Sequence, residues 1–190
     1  MGGRSRLADV DLTPAQQRAI DVIKGALDDT DLDVEAMAPN AFVVVLPGDH
    51  KLATPCAFVI GPHTVSINAF VARKPDENHD EVFRRLLQRN SRLSGVAFAL
   101  DRLGDIYLVG RVPTATVTPD DVDALLGSVA EAADSMFDRI LATGFASAIR
   151  KEWAWRQRQG EGADNLEPFR ALLDLGVECL AGEGDIEPQA

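Results

Sequence analysis

The sequence predicts an α+β domain with a five-stranded antiparallel sheet flanked by helices, on three observations. Strand-like runs at Ala41 to Leu46, Leu52 to Ile60 and Thr64 to Val71 follow one another with only turn residues between them. A second pair, Val96 to Leu100 and Ile106 to Val112, is joined by the short Gly-containing segment Asp101-Arg-Leu-Gly-Asp105. Segments of helical periodicity stand before, between and after these groups, so the order reads α-β-β-β-α-β-β-α with added C-terminal helices.

The first helix opens at Thr13-Pro-Ala-Gln16, where a Thr cap, Pro at the first helical position and Gln three residues after the cap form a capping box. Ala19, Ile20, Ile23 and Leu27 recur at helical spacing, and Asp28-Asp-Thr-Asp31 ends the pattern. Pro47-Gly48-Asp49 and Gly61-Pro62 then separate the three strands at hairpin lengths, which makes an antiparallel meander the economical reading. In the third strand Val65, Ile67, Ala69 and Val71 share an apolar face, while Phe70 is the exception on the polar face beside Thr64, Ser66 and Asn68. A second helix is expected from an Asn78 cap with Glu81 at the third position, burying Val82, Phe83, Leu86, Leu87 and Leu93. A long helix opens at Thr118-Pro-Asp-Asp121 and keeps its period through Val122, Leu125, Val129, Met136, Phe137 and Ile140, with Gly144 as its C′ stop. Phe145, Ile149 and Trp153 continue the periodicity, and a last short helix is expected from Asp164-Asn-Leu-Glu167.

With 190 residues and 46% hydrophobic side chains, one domain is expected over residues 13–175, large enough to need no disulfide or metal for folding. Residues 1–12 read as a flexible N-terminus and residues 176–190 as an acidic, disordered tail. A net charge of −11 repels nucleic-acid phosphate and anionic lipid. The longest apolar runs, Phe42 to Leu46 and Val96 to Leu100, are far too short to cross a bilayer. Met1-Gly-Gly-Arg-Ser-Arg passes into Leu7-Ala-Asp-Val-Asp without the apolar stretch of a secretory leader, so a cytoplasmic location is expected. Cys56 and Cys179 fit unpaired thiols of a reducing compartment, Cys56 as a buried structural one.

No motif dictates a reaction, and neither a cofactor nor a metal is expected. His50, His63 and His79 sit at turns or a helix start and show no metal-binding spacing. No phosphate-cradling Gly loop and no Gly-x-Ser-x-Gly elbow occurs. Asp101 and Asp105 flank Gly104 as ordinary turn acids, without the further oxygen donors of a calcium loop. Two features stand out. Arg85, Arg89 and Arg92 fall at i, i+4 and i+7, a face that either grips an acidic partner segment or phosphate, or is solvated and paired with local acids. Trp153 and Trp155 point to opposite sides of one helix. Either Trp153 enters the core and Trp155 meets a partner, or the last helix buries both rings.

Five segments in order resemble the YbjN-domain family: Leu46-Pro-Gly, Asn68 to Asn78, Arg89 to Asp101, Gly104 to Arg111, and Gly144 to Arg156. The resemblance implies the fold of type III secretion chaperones, which are small, acidic, non-enzymatic homodimers that hold partner chains. It implies a sensory-transduction regulator and carries no catalytic residues onto this chain. The resulting expectation is a non-catalytic, chaperone-like or regulatory module that is a homodimer and holds a segment of a partner protein, with Phe70 and Trp155 as anchors. The alternative is a small-ligand sensor or enzyme with a pocket near Arg89, Asp101, Asp105 and Arg111.

Overall fold

A computed structural model describes residues 12–159 and 168–170. The N-terminal segment, the acidic tail with Cys179 and most of the helix expected from Asp164 lie outside these residues. The elements run α1 (Pro14–Asp28), β1 (Asp33–Ala38), β2 (Ala41–Pro47), β3 (Ala53–Ile60), β4 (Thr64–Ala72), α2 (His79–Asn90), β5 (Val96–Leu100), β6 (Ile106–Pro113), α3 (Pro119–Gly144) and α4 (Ala146–Gln159).

Both Thr-Pro starts form complete capping boxes. The Thr13 hydroxyl accepts from the Gln16 amide while Gln16 reaches back to the Thr13 amide, and Thr118 and Asp121 repeat the exchange on α3. Each box satisfies two amides that a helix start leaves without partners. The strands pair antiparallel throughout, in the order β1-β2-β3-β4-β6-β5.

The sheet therefore has six strands, not five. The additional strand β1 pairs with β2 across a two-residue turn at Pro39-Asn40, from Asp33 opposite Val45 to Ala38 opposite Ala41. It is an edge strand, exposed over most of its length, so it carries no buried alternation for a sequence pattern to reveal.

Period-two alternation sends Val44, Leu46, Cys56, Phe58, Ile60, Val65, Ile67, Ala69, Ile106 and Leu108 to one face, where they are buried under α1 and α3. Each large side chain fully buried there contributes about 1.5–3 kcal/mol. The opposite face is a different surface. One register row crosses all six strands as Ala97, Val109, Asn68, Ala57, Val43 and Glu35, and every residue in it keeps solvent exposure.

Three local expectations change. Asn78 takes the left-handed conformation at φ 52° and makes no side-chain cap. Its amide instead donates to the Thr143 carbonyl at 2.9 Å, while the amides of Asp76 and Glu77 donate to the Gly144 carbonyl. The loop before α2 thus satisfies carbonyls that the end of α3 leaves open. Gly144 is the last helical residue and Phe145 the cap, so the glycine serves close approach to Pro75 and not a left-handed stop. On α2 only Val82 and Leu86 are buried; Leu87, about 100° round the helix from Leu86, turns away from the core and is 68% exposed.

Candidate functional site

At the end of the sheet where β4 meets the β2–β3 connection, β4 carries a bulge: Phe70 pairs with Tyr107 and Ala72 with Ile106, leaving Val71 as the extra residue. Val71 and Ala72 are both buried, and Phe70 stays half-buried on the outward side. The Phe70 and Tyr107 rings meet edge to face, 5.5 Å between centroids. Beside them Phe70, Phe137, Leu141 and Phe145, with Lys51 and Arg73, line an open cleft of about 440 Å³. The Lys51 ammonium lies 5.2 Å from the Phe137 ring centre and 5.6 Å from that of Phe70. The Arg73 guanidinium sits 4.4 Å over Phe145 while paired with Asp76. Desolvation pulls the pKa of Lys51 below its ordinary value. An apolar floor with cations laid on its aromatic faces suits a hydrophobic segment that carries an acidic group.

Ala148 of α4 forms part of the cleft wall. Trp155 is seven residues further along the same helix, so it falls on the same stripe about 10 Å beyond. It is 44% exposed, whereas Trp153 packs against the core. Of the two arrangements the spacing leaves open, the structure has the one with Trp153 inward and Trp155 presented to solvent.

Arg85 and Arg89 lie on α2, whereas Arg92, expected on the same helix, falls in the turn two residues beyond its end. Together with Arg139 of α3 they line a second cleft, of about 660 Å³, between the two helices. Arg85 pairs with Glu81 at 2.7 Å. Arg89 reaches across to the Glu131 carboxylate of α3, which takes both contacts on one terminal nitrogen and leaves the buried Nε without an acceptor. Arg92 is exposed in the turn that follows α2.

Arg89, Asp101, Asp105 and Arg111 do not converge. Arg89 stands in the cleft against α3, and Arg111 projects from the outward face of β6. Asp101 and Asp105 belong to the β5–β6 turn, where their carboxylates are occupied by backbone. Asp101 accepts from the Leu103 and Asp105 amides, Asp105 from the Lys74 amide, and Gly104 takes φ 89° between them. The histidines are equally local: His50 Nδ1 contacts Asp138 at 2.6 Å, His79 Nε2 lies 2.9 Å from the Pro75 carbonyl, and His63 is exposed in the β3–β4 turn. Cys56 is fully buried, and desolvation pushes its thiol up to about 12.

The sequence model of the YbjN family, described as "Putative bacterial sensory transduction regulator", matches residues 19–142, and the chain belongs to this family. It is 52% identical to the uncharacterized protein ML2442 of Mycobacterium leprae over 132 residues, which are 70% of this chain and 72% of that protein. It is 50% identical to the uncharacterized protein Rv0487 of Mycobacterium tuberculosis over 135 residues, 71% of this chain and 74% of that one. Among solved structures, a chain of the ExsC–ExsE complex is similar at a TM-score of 0.43 and 18% identity, over 67% of this chain and 94% of its own. A chain of the heterodimeric ExoU–SpcU complex from the type III secretion system of Pseudomonas aeruginosa follows at 0.40 and 18%, over 49% and 79%.

Proposed function

We propose that the protein is a non-catalytic regulatory module that holds a segment of a partner protein in the cleft lined by Phe70, Phe137 and Phe145. The observation that carries this reading is an apolar, aromatic cleft left open to solvent, with Lys51 and Arg73 on its walls. The partner segment would lay an apolar side chain on the phenyl faces, place a carboxylate near Lys51, and run along α4 to Trp155. The family's description as a regulator supports it.

A homodimer belongs to the same reading. The outward sheet face, with Val45 at 37% and Val59 at 43% exposure, carries its charges on Asp33 and Glu35 of the edge strand and on Arg111, and its apolar centre suits face-to-face pairing. A cytoplasmic location follows from the same role. No described helix is long and apolar enough to cross a membrane.

The test is native mass spectrometry of gently purified protein, followed by peptide capture with Trp155→Ala and Phe70→Ala. A dimer that retains or captures peptide, with capture lost in both variants and the fold intact, is the expected result. A monomer that captures peptide equally well with and without these rings would overturn the reading.

A further inference from the structure

The arginine cleft between α2 and α3 is the most cationic concavity described in an otherwise acidic protein. Arg85, Arg89, Arg92 and Arg139 line it, and among the described residues Glu81 is its sole acidic lining residue. Glu81 is already shared between Arg84 and Arg85, and Glu131 is engaged by Arg89. Counting the four lining arginines against Glu81 and Glu131 leaves a net local charge of +2, in a chain of net charge −11.

Two of these cations have no neutralising partner among the described residues. Neither Arg92 nor Arg139 makes an ion pair or a side-chain hydrogen bond with a described residue. The third, Arg89, spends one terminal nitrogen on Glu131, and its Nε, buried in the cleft wall and out of a ligand's reach, finds no acceptor among the described residues. A guanidinium forms two parallel N–H bonds to a carboxylate or a phosphate alike, but a phosphate offers more oxygens and more charge than one carboxylate, so several arginines around one concavity favour a phosphate group.

Size and lining narrow the class further. A volume of about 660 Å³ lies in the range of small-molecule sites and exceeds what one inorganic phosphate fills. Gln88 and Ser91 add polar groups, while Met136 supplies the only apolar side chain among the described lining residues. No aromatic ring stands among the described lining residues to stack on a base. We infer that this cleft binds a small oligophosphate, recognised through its phosphate groups and not through whatever organic group they are attached to. The inference does not rest on the partner-holding role of the Phe70 cleft, which lies at the end of the sheet and shares no lining residue with this one.

The experiment is isothermal titration of the full chain with inorganic pyrophosphate in about 0.15 M KCl, where purely long-range attraction is largely screened. One saturable site per chain is expected, with Arg92→Ala and Arg139→Ala each weakening it about tenfold or more. Arg102→Ala, in the β5–β6 turn, serves as the charge control and leaves affinity unchanged. A nucleoside diphosphate is expected to bind within about threefold of pyrophosphate, since the lining holds no base-stacking ring. Absence of saturable pyrophosphate binding would overturn the proposal. So would equal weakening by Arg102→Ala, or affinity unchanged in both Arg92→Ala and Arg139→Ala. Binding of an Asp/Glu-rich peptide by the same arginines without pyrophosphate binding would also overturn it, transferring the cleft to the protein-partner role. Unchanged circular dichroism and melting of the variants separates loss of the site from loss of the fold.

Discussion

Asp134, midway along α3, accepts hydrogen bonds from the backbone amides of His50 and Lys51, each at 2.8 Å. A side chain at Gly48 would come within 2.4 Å of the same carboxylate, so this connection closes on α3 only because that position is glycine. The clamp fixes the backbone from which Lys51 reaches over Phe70 and Phe137. Asp134→Ala is expected to cost about 1–2 kcal/mol in urea unfolding at pH 7. Burial opposes ionisation of this carboxyl, but the amides of Lys51, His50 and Asp49 outweigh it and hold the pKa below the ordinary value of 3.8. A group depressed in the folded state contributes its full stability above the unfolded pKa and loses it as pH falls through the folded one. The gap between wild type and variant should therefore shrink below pH 3.8. A gap that is as large at about pH 3 as at pH 7 would show that the carboxylate is not the source.

Two glycines of α3 are expected to respond oppositely to alanine. Gly127 is exposed, and a Cβ there meets nothing within 4 Å. Gly127→Ala should therefore stabilise the protein by about 0.5–1 kcal/mol through helix propensity and a less flexible unfolded chain. At Gly144 the added carbon would lie 2.8 Å from the Pro75 Cβ, with Val82 close behind. That contact lies where the loop at 75–78 donates to the end of α3, so relief would pull the loop off the helix. Gly144→Ala should cost about 1–3 kcal/mol. Paired melting curves read both signs; a neutral Gly144→Ala would mean that the loop is not held at this distance.

Cys56 is expected to be chemically silent in the folded protein. Its thiol is buried in β3, and desolvation raises its pKa to about 12. At pH 8 the thiolate is scarce and inaccessible, and the thiolate is the reacting species. In a Cys179→Ser background, an aromatic disulfide reagent should label Cys56 only as the chain unfolds, at a rate set by opening. Stoichiometric labelling within seconds under native conditions would contradict the burial.

What the sequence revealed is what local physics decides. Capping boxes are written in four consecutive residues, so Thr13 to Gln16 and Thr118 to Asp121 announce α1 and α3 before any tertiary contact is known. The alternation through Val65, Ile67, Ala69 and Val71 likewise declares its buried face. Where the deciding partner is distant, that legibility fails. Asn78 reads as a cap by residue type, but the Thr143 carbonyl, 65 residues away, takes its amide. The strand β1 exists through backbone pairing with β2, and side chains such as Asp33 and Glu35 give no hint of it. The site divides in the same way. Phe70 stands out as an aromatic on a polar face, and the spacing of Arg85 and Arg89 marks one side of α2, although α2 ends before Arg92. Lys51, Arg73 and Arg139 carry no local signal, since each gains its role from an element remote in sequence.

The two tryptophans offer the most direct separation of core from contact surface. They are the only ones in the chain and lie about 200° apart around α4. Trp153 packs against the core, so Trp153→Ala should lose about 2–4 kcal/mol by removing a large, partly buried ring. Trp155, at 44% exposure, should tolerate alanine within about 0.5 kcal/mol, as surface positions do. Fluorescence distinguishes the rings independently. With Trp155→Phe the remaining emission should shift to shorter wavelength and resist acrylamide, whereas Trp153→Phe should leave a red-shifted, readily quenched signal. Equal stability losses and equal quenching would place both rings in the core, and the stripe from Ala148 to Trp155 would then have no exposed aromatic to offer a partner.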